Sequence, residues 1–418
     1  METLLSPALA SLIAFVAVII LSLTSRINVG VLAVALAWPI AMLLGGMKVE
    51  ALMGVFPSSL FLTLVGVTLL FGIAQHNGTL EALTRRAVRA CGGNTALLPI
   101  VFFLLTAVVA GVGPGIIAAS ALVAPLAMAV GVSARVPVFL MALMVGNGAN
   151  AGNLSPFSAV GVIVQNSMVK AGIPYDAGQV FATNCVAHVL VAAGAYFLFG
   201  GLKLLRAPRA DPSSVAEVPL TRQHWLTVAL LVLWVIGVVG FKMNPGLAGF
   251  TAATVLILAG AVEDAPAVAS IPWAVIVMVC GVSVMVGVLE KTGGMDLFTT
   301  LLAKITTPGT ANGMMAFVTG IISTYSSTSG VVYPAFLPTV PGLVEKLGGG
   351  DPLQIALSIN VGAAIVDVSP LSTTGALCVA ALPASENARL LFRRLLIWGF
   401  SMTIVGALFW QFCVRFFV

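Results

Sequence analysis

Apolar runs of about 20 residues recur along the whole chain, and a helix needs about that length to cross the hydrocarbon core of a membrane. Only 8% of the residues are charged and 60% are hydrophobic, whereas a soluble domain carries about a quarter charged residues. The alternation of polar and apolar residues that marks a membrane β-barrel is absent from the sequence. The sequence therefore predicts an all-α polytopic membrane protein in contact with the lipid bilayer. The formal net charge of +5 fits loops that face an anionic membrane surface, and no nucleic-acid partner is expected.

One short phrase occurs twice, and the two copies are separated by about half the length of the chain. Residues 153–161 read NLSPFSAVG, and residues 367–375 read DVSPLSTTG. Proline and glycine interrupt helices, and hydroxyl, amide and carboxyl groups are costly in lipid unless they are satisfied or functional. We therefore expect each phrase to break a membrane helix, and the rest of the chain to bring the two breaks together.

The apolar runs divide into two series with the same order of elements. Spans are predicted at 7–25, 28–47, 57–76 and 177–202, and again at 225–241, 246–262, 272–289 and 392–414. Re-entrant hairpins are predicted at 97–132 and 310–346, broken spans at 137–170 and 353–383, and amphipathic segments at 79–92 and 294–306. The first repeat is thus 1–202, the polar linker 203–224, which we place in the cytoplasm, and the second repeat 225–418.

Small residues outside the phrases repeat in nearly the same register as the phrases. Gly66, Gly72 and Gly78 recur with a constant interval as Gly281, Gly287 and Gly293. Asn28 and Gly30 recur as Asn244 and Gly246, with an interval that is longer by a single position. This agreement indicates an internal duplication. Five spans plus one re-entrant hairpin in each half would place the halves in opposite orientations, which is the inverted-repeat plan of secondary transporters.

The loop charges predict the orientation in the membrane. With the N-terminus outside, 12 lysines and arginines fall on the cytoplasmic side and 7 on the outer side. The positive-inside rule therefore favours both termini outside a multi-pass protein of the inner (plasma) membrane.

Polar groups at the breaks and hairpin tips are the candidate ligands. An unwound helix exposes carbonyls that can bind Na⁺, and the positive end of a half-helix can meet an anion. Asp367 is the sharpest candidate, because an ionisable residue in mid-membrane is a functional hypothesis by default. The residues predicted to bind a cation are Asn150, Asn153, Ser326, Ser327, Asp367, Thr373 and Thr374.

Structural explanations stay open for the same residues. Hydroxyls can bond back to their own helix, and the carboxyl of Asp367 could be neutral or satisfied by backbone amides. Asn184 and His188 lie one turn apart, which favours packing between helices over ligand binding. The glycines at 111–115 could serve helix crossing alone.

At these residues the sequence resembles the ion transporter superfamily, and within it the divalent anion/sodium symporters and the MatC-type dicarboxylate (malonate) carriers. The resemblance is carried by the glycine-spaced span 66–78, the hairpin with its following Pro125 and Leu126, the stretch 147–156 (NGANAGNLSP) and the second phrase. It implies two hairpins and two broken helices around a central carboxylate site, with a sodium site beside each hairpin tip. It also implies a homodimer, with a scaffold drawn partly from 1–76 and 225–289 and an elevator-like transport domain of hairpins and broken helices.

The resemblance also implies which residues contact the substrate. The Ser-Pro pairs at 155–156 and 369–370 match the family's Thr-Pro at the helix breaks, and 328–330 matches its second Ser-Asn-Thr tip. Neither tip here reads Ser-Asn-Thr, and the first reads GVGPG. The predicted substrate-binding residues are Gly113, Gly115, Asn150, Asn153, Ser155, Pro156, Thr328, Ser329, Ser369, Pro370 and Ser372.

We predict a secondary active transporter that imports a small dicarboxylate, malonate or a C4 acid, by cation symport. Na⁺ is the predicted coupling ion, and H⁺ is the alternative. No Lys or Arg falls in either phrase or in either hairpin tip, so bound cations would supply the positive potential that the anion needs. One rival is the membrane subunit of a TRAP-type transporter that works with a binding protein. Another is an ion antiporter or arsenite-type efflux protein. An enzyme is disfavoured, because no His/Asp/Glu cluster lies within the spans.

Overall fold

The computed structural model describes residues 6–24, 27–89, 94–113, 115–206, 219–241, 243–325 and 327–417. Within these ranges the regular structure is helical and no strand is present. The prediction of an all-α protein is therefore confirmed. Most of the linker, residues 207–218, and the predicted cation ligand Ser326 lie outside the described residues.

The described residues of the first half form helices separated by short connections. Their bounds are α1 Pro7–Thr24, α2 Val29–Pro39 with a π-helical continuation Ile40–Leu44, α3 Val49–Met53, α4 Ser58–His76, α5 Thr79–Arg89, α6 Leu97–Val112, α7 Gly115–Ser133, α8 Val138–Asn153, α9 Ala159–Lys170, α10 Ala177–Leu198 and α11 Gly201–Leu204.

The described residues of the second half follow the same order. Their bounds are α12 Arg222–Gly240, α13 Pro245–Leu258, α14 Asp264–Ala269, α15 Trp273–Lys291, α16 Gly294–Lys304, α17 Ala311–Tyr325, a π-helical segment Thr328–Val332, α18 Tyr333–Phe336, a 3₁₀ turn Leu337–Thr339, α19 Val340–Leu347, α20 Pro352–Ile365, α21 Thr373–Ala380, α22 Ala388–Cys413 and a final 3₁₀ turn Val414–Phe416.

The helix boundaries fall where the sequence predicts interruptions. The tip at 111–115 separates α6 from α7, and the two phrases separate α8 from α9 and α20 from α21. The short helices α3 and α14 were missed. They begin at Val49 and Asp264, which are separated by the same interval as Gly66 and Gly281, so they too follow the repeat.

By length and composition, five of the described helices could cross a membrane. They are Ser58–His76, Gly115–Ser133, Ala177–Leu198, Trp273–Lys291 and Ala388–Phe416. Seven shorter apolar helices accompany them. These helices support a multi-pass membrane protein. The scheme of five spans per half and the re-entrant character of the hairpins stay predictions.

The two halves exchange equivalent contacts through the residues that repeat in the sequence. A Cβ added at Gly66 of α4 would lie 2.0 Å from the carbonyl oxygen of Gly246 in α13. At the equivalent crossing, a Cβ added at Gly281 of α15 would lie 2.2 Å from the carbonyl oxygen of Gly30 in α2. Such close backbone approach is possible only without side chains. The repeated glycines are therefore explained by packing between the halves.

Hydrogen bonds repeat across the halves in the same reciprocal way. The Asn77 side chain donates to the Thr227 hydroxyl at 2.8 Å, and the Thr292 hydroxyl donates to the Ser11 hydroxyl at 2.7 Å. Asn28 and Asn244 each cap the following helix, because their side-chain oxygens accept the amides of Gly30 and Gly246. These contacts join positions that correspond in the sequence repeat, so the duplication inferred from the sequence extends to the three-dimensional packing.

Candidate functional site

The first phrase forms the break between α8 and α9. The Ser158 hydroxyl donates to the Asn153 carbonyl at 2.5 Å and accepts the Val160 amide at 3.1 Å, which caps α9. The Ser155 hydroxyl accepts the Phe157 amide at 3.3 Å. These hydroxyls therefore satisfy backbone groups that the helix break leaves without a helical partner.

The second phrase forms the same kind of break between α20 and α21. The Ser372 hydroxyl donates to the Asp367 carbonyl at 2.6 Å, and the Ser369 hydroxyl accepts the Leu371 amide at 3.3 Å. Each serine thus has the same backbone partner as its mate in the first half. The two serines of the repeated Ser-Pro-x-Ser pattern therefore stabilise the helix break through hydrogen bonds to its backbone.

The glycine that ends each phrase packs on the break itself. A Cβ added at Gly161 would lie 1.9 Å from the Ser155 carbonyl oxygen, and one added at Gly375 would lie 2.1 Å from the Ser369 carbonyl oxygen. Any side chain at these positions would collide with backbone that cannot rotate away. The phrase therefore ends in glycine because the first turn of the half-helix folds directly over the break.

Each hairpin tip contacts the break of its own half. The Gly113 carbonyl accepts the Ala159 amide at 3.2 Å, and the glycine backbone at Gly111 lies against Gly152 and Ser155. In the second half, the Ser323 hydroxyl donates to the Ala363 carbonyl at 2.8 Å and also hydrogen-bonds the Thr328 hydroxyl. Gly115 has a φ of 77°, a left-handed conformation that glycine adopts readily. This explains the glycine at the start of α7.

A cavity of about 120 Å³ lies where these parts meet, and we call it the central cavity. Gly115–Ala118, the first turn of α7, and Ala159 and Val160, the first residues of α9, form part of its wall. Ser329, from the second hairpin, also lines it. The opposite wall comes from α4 and from the start of α15 with the preceding loop, and its polar members are Thr68, Gln75 and Ser270.

No described residue in the lining of the central cavity is charged, but two helices begin in its wall. The first amides of a helix have no partner within the helix, and the helix dipole places partial positive charge there. The first turn of α7, which carries such amides, forms part of the cavity wall. The α9 amides of Ala159 and Val160 are bonded to Gly113 and Ser158, so α9 contributes its dipole rather than free donors.

Several buried oxygen atoms near the breaks have no hydrogen-bond partner among the described residues. Three belong to predicted cation ligands: the side-chain oxygens of Asn150, Asn153 and Thr374. The amide oxygens of Asn147, Asn184 and Asn360 are in the same situation. Because a buried acceptor without a partner is costly, and neutral oxygens suit a hard alkali cation, these residues fit the predicted Na⁺.

Asp367 is buried, with 7% of its surface exposed. Its carboxyl group lies beside the hydroxyls of Ser372 and Thr328 and near the Tyr333 ring. The Tyr333 hydroxyl donates its hydrogen bond to the Asn360 carbonyl of α20 at 2.9 Å. The second break therefore holds a buried carboxyl group beside one hydroxyl from the hairpin tip, Thr328, and one from the residue before α21, Ser372.

The predicted site residues fall into two groups. Of the predicted substrate-binding residues, Gly115 and Ser329 line the central cavity. The following do not line it: Gly113, Asn150, Asn153, Ser155, Pro156, Thr328, Ser369, Pro370 and Ser372. Among the other cation candidates, the Ser327 hydroxyl accepts the Gly330 amide at 3.0 Å, and Thr373 is exposed.

Sequence reasoning missed the cavity wall formed by α4 and α15, because it assigned these helices to a scaffold. It also assigned Asn184 to packing. Asn184 does donate to the Asn150 carbonyl at 2.7 Å, which joins α10 to α8, but its oxygen remains without a partner among the described residues. Asn147 could have been identified from the sequence as a further candidate ligand, because Asn147, Asn150 and Asn153 are spaced three residues apart.

Comparison with known proteins gives matches to carriers and transporters. Residues 5–153 match the family model described as the N-terminus of the dicarboxylate carrier protein MatC. An uncharacterized transporter of Mycobacterium bovis is 25% identical over 301 residues, which cover 68% of this chain and 68% of that protein. An uncharacterized transporter of Mycobacterium tuberculosis matches with the same figures.

The fold is similar to that of the YdaH transporter of Alcanivorax borkumensis. The TM-score is 0.60 at 13% sequence identity, and the match covers 97% of this chain and 98% of that one. The predicted resemblance to MatC-type carriers is thus confirmed for residues 5–153. Each of these matches is a carrier or a transporter and none is an enzyme, which agrees with the prediction that this chain is not an enzyme.

Proposed function

We propose that this protein is a secondary active transporter that imports a small dicarboxylate, malonate or a C4 acid, together with Na⁺. The observation that carries the proposal is the central cavity, which is bordered by the first turns of α7 and α9 and by Ser329. Helix N-termini bind carboxylates through amides and dipoles without a buried cation. The match of residues 5–153 to a dicarboxylate carrier family supports the same substrate class.

Na⁺ would be held by neutral oxygens near the first break and by Asp367 with Thr374 near the second. At the first break, the buried amide oxygens of Asn150 and Asn153 have no hydrogen-bond partner among the described residues. A bound cation would supply positive charge that the cavity lining lacks. The Asn150 amide nitrogen donates to the Gly146 carbonyl at 3.1 Å, which fixes this side chain on α8 and leaves its oxygen for the cation.

The architecture that goes with this function is also proposed. The halves would be inverted repeats with both termini outside the inner membrane. Hairpins and broken helices would form a transport domain that moves, elevator-like, against a scaffold that includes α4 and α15. The central cavity lies between these two sets of elements, as such a mechanism requires. A homodimer held by the scaffold completes the proposal.

A substitution at Ala159 tests the anion site. Ala159 is the first residue of α9 and lines the cavity. An aspartate there suits the helix, because acidic residues stabilise helix N-termini, but it repels a bound dicarboxylate. We expect Ala159→Asp to abolish Na⁺-driven uptake of labelled malonate and succinate in proteoliposomes while its unfolding temperature is unchanged. Ala159→Asn, which has nearly the same shape without the charge, should retain uptake.

The control without sodium tests the coupling. Replacing Na⁺ with choline should remove uptake by the unmodified protein. Uptake that continues in choline and depends on a proton gradient would instead establish H⁺ as the coupling ion. Equal uptake by Ala159→Asp and Ala159→Asn would place the substrate elsewhere.

A further inference from the structure

Two further cavities adjoin α4, one beyond each end of the central cavity. One, of about 660 Å³, is lined by Gln75, Glu81 and Arg85 together with the outer face of α7; we call it the Arg85 vestibule. The other, of about 310 Å³, is lined by Ser59, Thr63 and Lys170; we call it the Lys170 vestibule. Neither belongs to the site described above.

The three cavities follow α4 in sequence order. Ser59, Leu60 and Thr63 line the Lys170 vestibule, and Leu64 and Thr68 line the central cavity. Gln75 lines both the central cavity and the Arg85 vestibule. On α4 the lining residues run from Ser59 to Gln75. Because a helix rises 1.5 Å per residue, the series spans about 24 Å, most of the roughly 30 Å thickness of a bilayer's hydrocarbon core.

The neighbouring helices follow the same course. The first turn of α7 lines the central cavity, and its next turns, from Ala121 to Ser133, line the Arg85 vestibule. On the other side, α9 lines the central cavity between Ala159 and Ile163, and it lines the Lys170 vestibule between Val162 and its last residue, Lys170. The Lys170 vestibule, the central cavity and the Arg85 vestibule therefore follow one another along α4, and we call this series the seam along α4.

Charge is placed at the ends of this seam and not in its middle. Among the described residues, the lining of the central cavity has no charged side chain, whereas each vestibule has one basic side chain, Arg85 or Lys170. Arg85 is paired with Glu81 at 2.9 Å, with side-chain exposures of 28% and 50%. Such an exposed pair is worth roughly 0–1 kcal/mol, so an arriving carboxylate can compete for the guanidinium.

The acidic residue of the Arg85 vestibule has an equivalent in the second half with a different partner. Glu81 corresponds to Asp296 in the repeat, by the same interval that relates Gly66 to Gly281. Asp296 pairs with Lys346 at 2.5 Å, which ties α16 to α19 of the second hairpin. Glu81 pairs instead within its own helix. The ion pair therefore joins two helices in the second half, whereas in the first half it stays within α5.

We propose that the seam along α4 is the path of the transported anion, with Arg85 and Lys170 as the residues that capture it at the two mouths. The identity of the anion rests on the proposed function; the path itself does not. The capture residues would raise the local anion concentration, as charge-lined clefts do, and then release the anion into a neutral cavity where cations and helix dipoles hold it.

Single cysteines test the path without requiring transport. Ala129 and Val169 are exposed and line the Arg85 and Lys170 vestibules, respectively. Each would be replaced by cysteine in a chain whose five native cysteines are alanines and whose unfolding transition is retained. The rates of modification by anionic and cationic methanethiosulfonate reagents are then compared, from each side of a proteoliposome.

The expected result is a preference for the anionic reagent that depends on the nearby cation. Arg85→Gln should lower the anionic-to-cationic rate ratio at Ala129→Cys by about tenfold, the low end of the effect of charged clefts on association rates, and leave Val169→Cys unchanged. Lys170→Gln should do the reverse. Glu81→Gln releases Arg85 and should raise the ratio at Ala129→Cys.

The outcomes separate the path from the proposed substrate. If the ratios respond as described but no dicarboxylate is transported, the path stands and the proposed substrate fails. If Ala129→Cys reacts only with a lipid-soluble maleimide, the vestibule is a lipid-facing groove and the path is refuted. If Lys170→Gln changes the unfolding temperature but not the ratio, Lys170 only stabilises the C-terminal end of α9, and the capture role at that mouth is refuted.

Discussion

The glycine that closes the first phrase offers a direct link between the helix break and the candidate anion site. In Gly161→Ala, the added Cβ would lie 1.9 Å from the Ser155 carbonyl oxygen, and real Cβ contacts below 3.0 Å essentially never occur. The start of α9 must therefore move by about 1 Å or more. Forcing a methyl group into packed structure costs about 1–3 kcal/mol.

This displacement should weaken substrate binding as well as folding. Ala159 and Val160 lie within two residues of Gly161 and line the central cavity, so the shift moves part of the cavity wall. If about half of a 3 kcal/mol cost appears in binding, the dissociation constant rises about tenfold, since 1.4 kcal/mol corresponds to a factor of ten. Calorimetric titration with malonate and succinate in Na⁺ buffer measures the binding change, and the unfolding temperature in detergent measures the stability change.

Gly194→Ala is the matched control. A Cβ at Gly194, in the interior of α10, meets no atom within 4 Å, and alanine is favoured over glycine in a helix interior by roughly 0.5–1 kcal/mol. This variant should be as stable as the unmodified protein or slightly more so, with unchanged binding. If Gly161→Ala shows the same unfolding temperature and the same affinity as Gly194→Ala, the close packing of α9 over the break has no role in the site, and the reasoning is wrong.

The remaining predictions concern charges. Asp367→Asn removes the buried carboxyl group of the second break. It should raise the Na⁺ concentration for half-maximal uptake by about tenfold or more, because hydrogen bonds to charged groups are worth about 1.5–3 kcal/mol. Unchanged Na⁺ dependence would mean that Asp367 has a structural role only. Lys346→Gln breaks the pair with Asp296, whose side chain is 72% exposed, and we expect little change in unfolding temperature. Thr299 is buried on α16 beside Gly342 of α19, so Thr299→Cys should be labelled faster by a hydrophilic thiol reagent in the Lys346→Gln variant. Equal labelling with and without Lys346 would show that the pair does not close the gap between α16 and α19.

The sequence predicted the helices and their interruptions well, because the responsible signals are local and occur twice. Asn28 and Asn244 cap α2 and α13 through the same bonds, and the two phrases break α8 and α20 in the same way. A pattern seen once is ambiguous, whereas a pattern repeated at a constant interval marks equivalent structure. The short helices α3 and α14 were missed because five or six residues give too little periodicity to detect.

The site was predicted less completely, because its walls come from segments far apart in the chain. Thr68 and Ser270 face the central cavity from elements of different halves, and nothing local to either residue indicates this. Likewise, the sequence places hydroxyl side chains at Ser158 and Ser372, but it does not show that both hydroxyls are hydrogen-bonded to the backbone of the break. The glycines Gly66 and Gly281 could have indicated that the two halves pack together, since each lies where the backbone of one half approaches that of the other.

The difference between the two phrases now has a physical reason. The half-helix after the first phrase borders the central cavity, and its phrase begins with the neutral Asn153. The half-helix after the second phrase does not line that cavity, and its phrase begins with Asp367. Like charges repel and opposite charges attract more strongly inside a protein than in water. A carboxylate at position 153, at the break that leads into α9, would therefore oppose a bound dicarboxylate, whereas one at position 367 can attract a cation. Asn153→Asp should therefore weaken anion binding even while it strengthens cation binding, and a variant in which both improved would show that the two breaks do not divide these tasks.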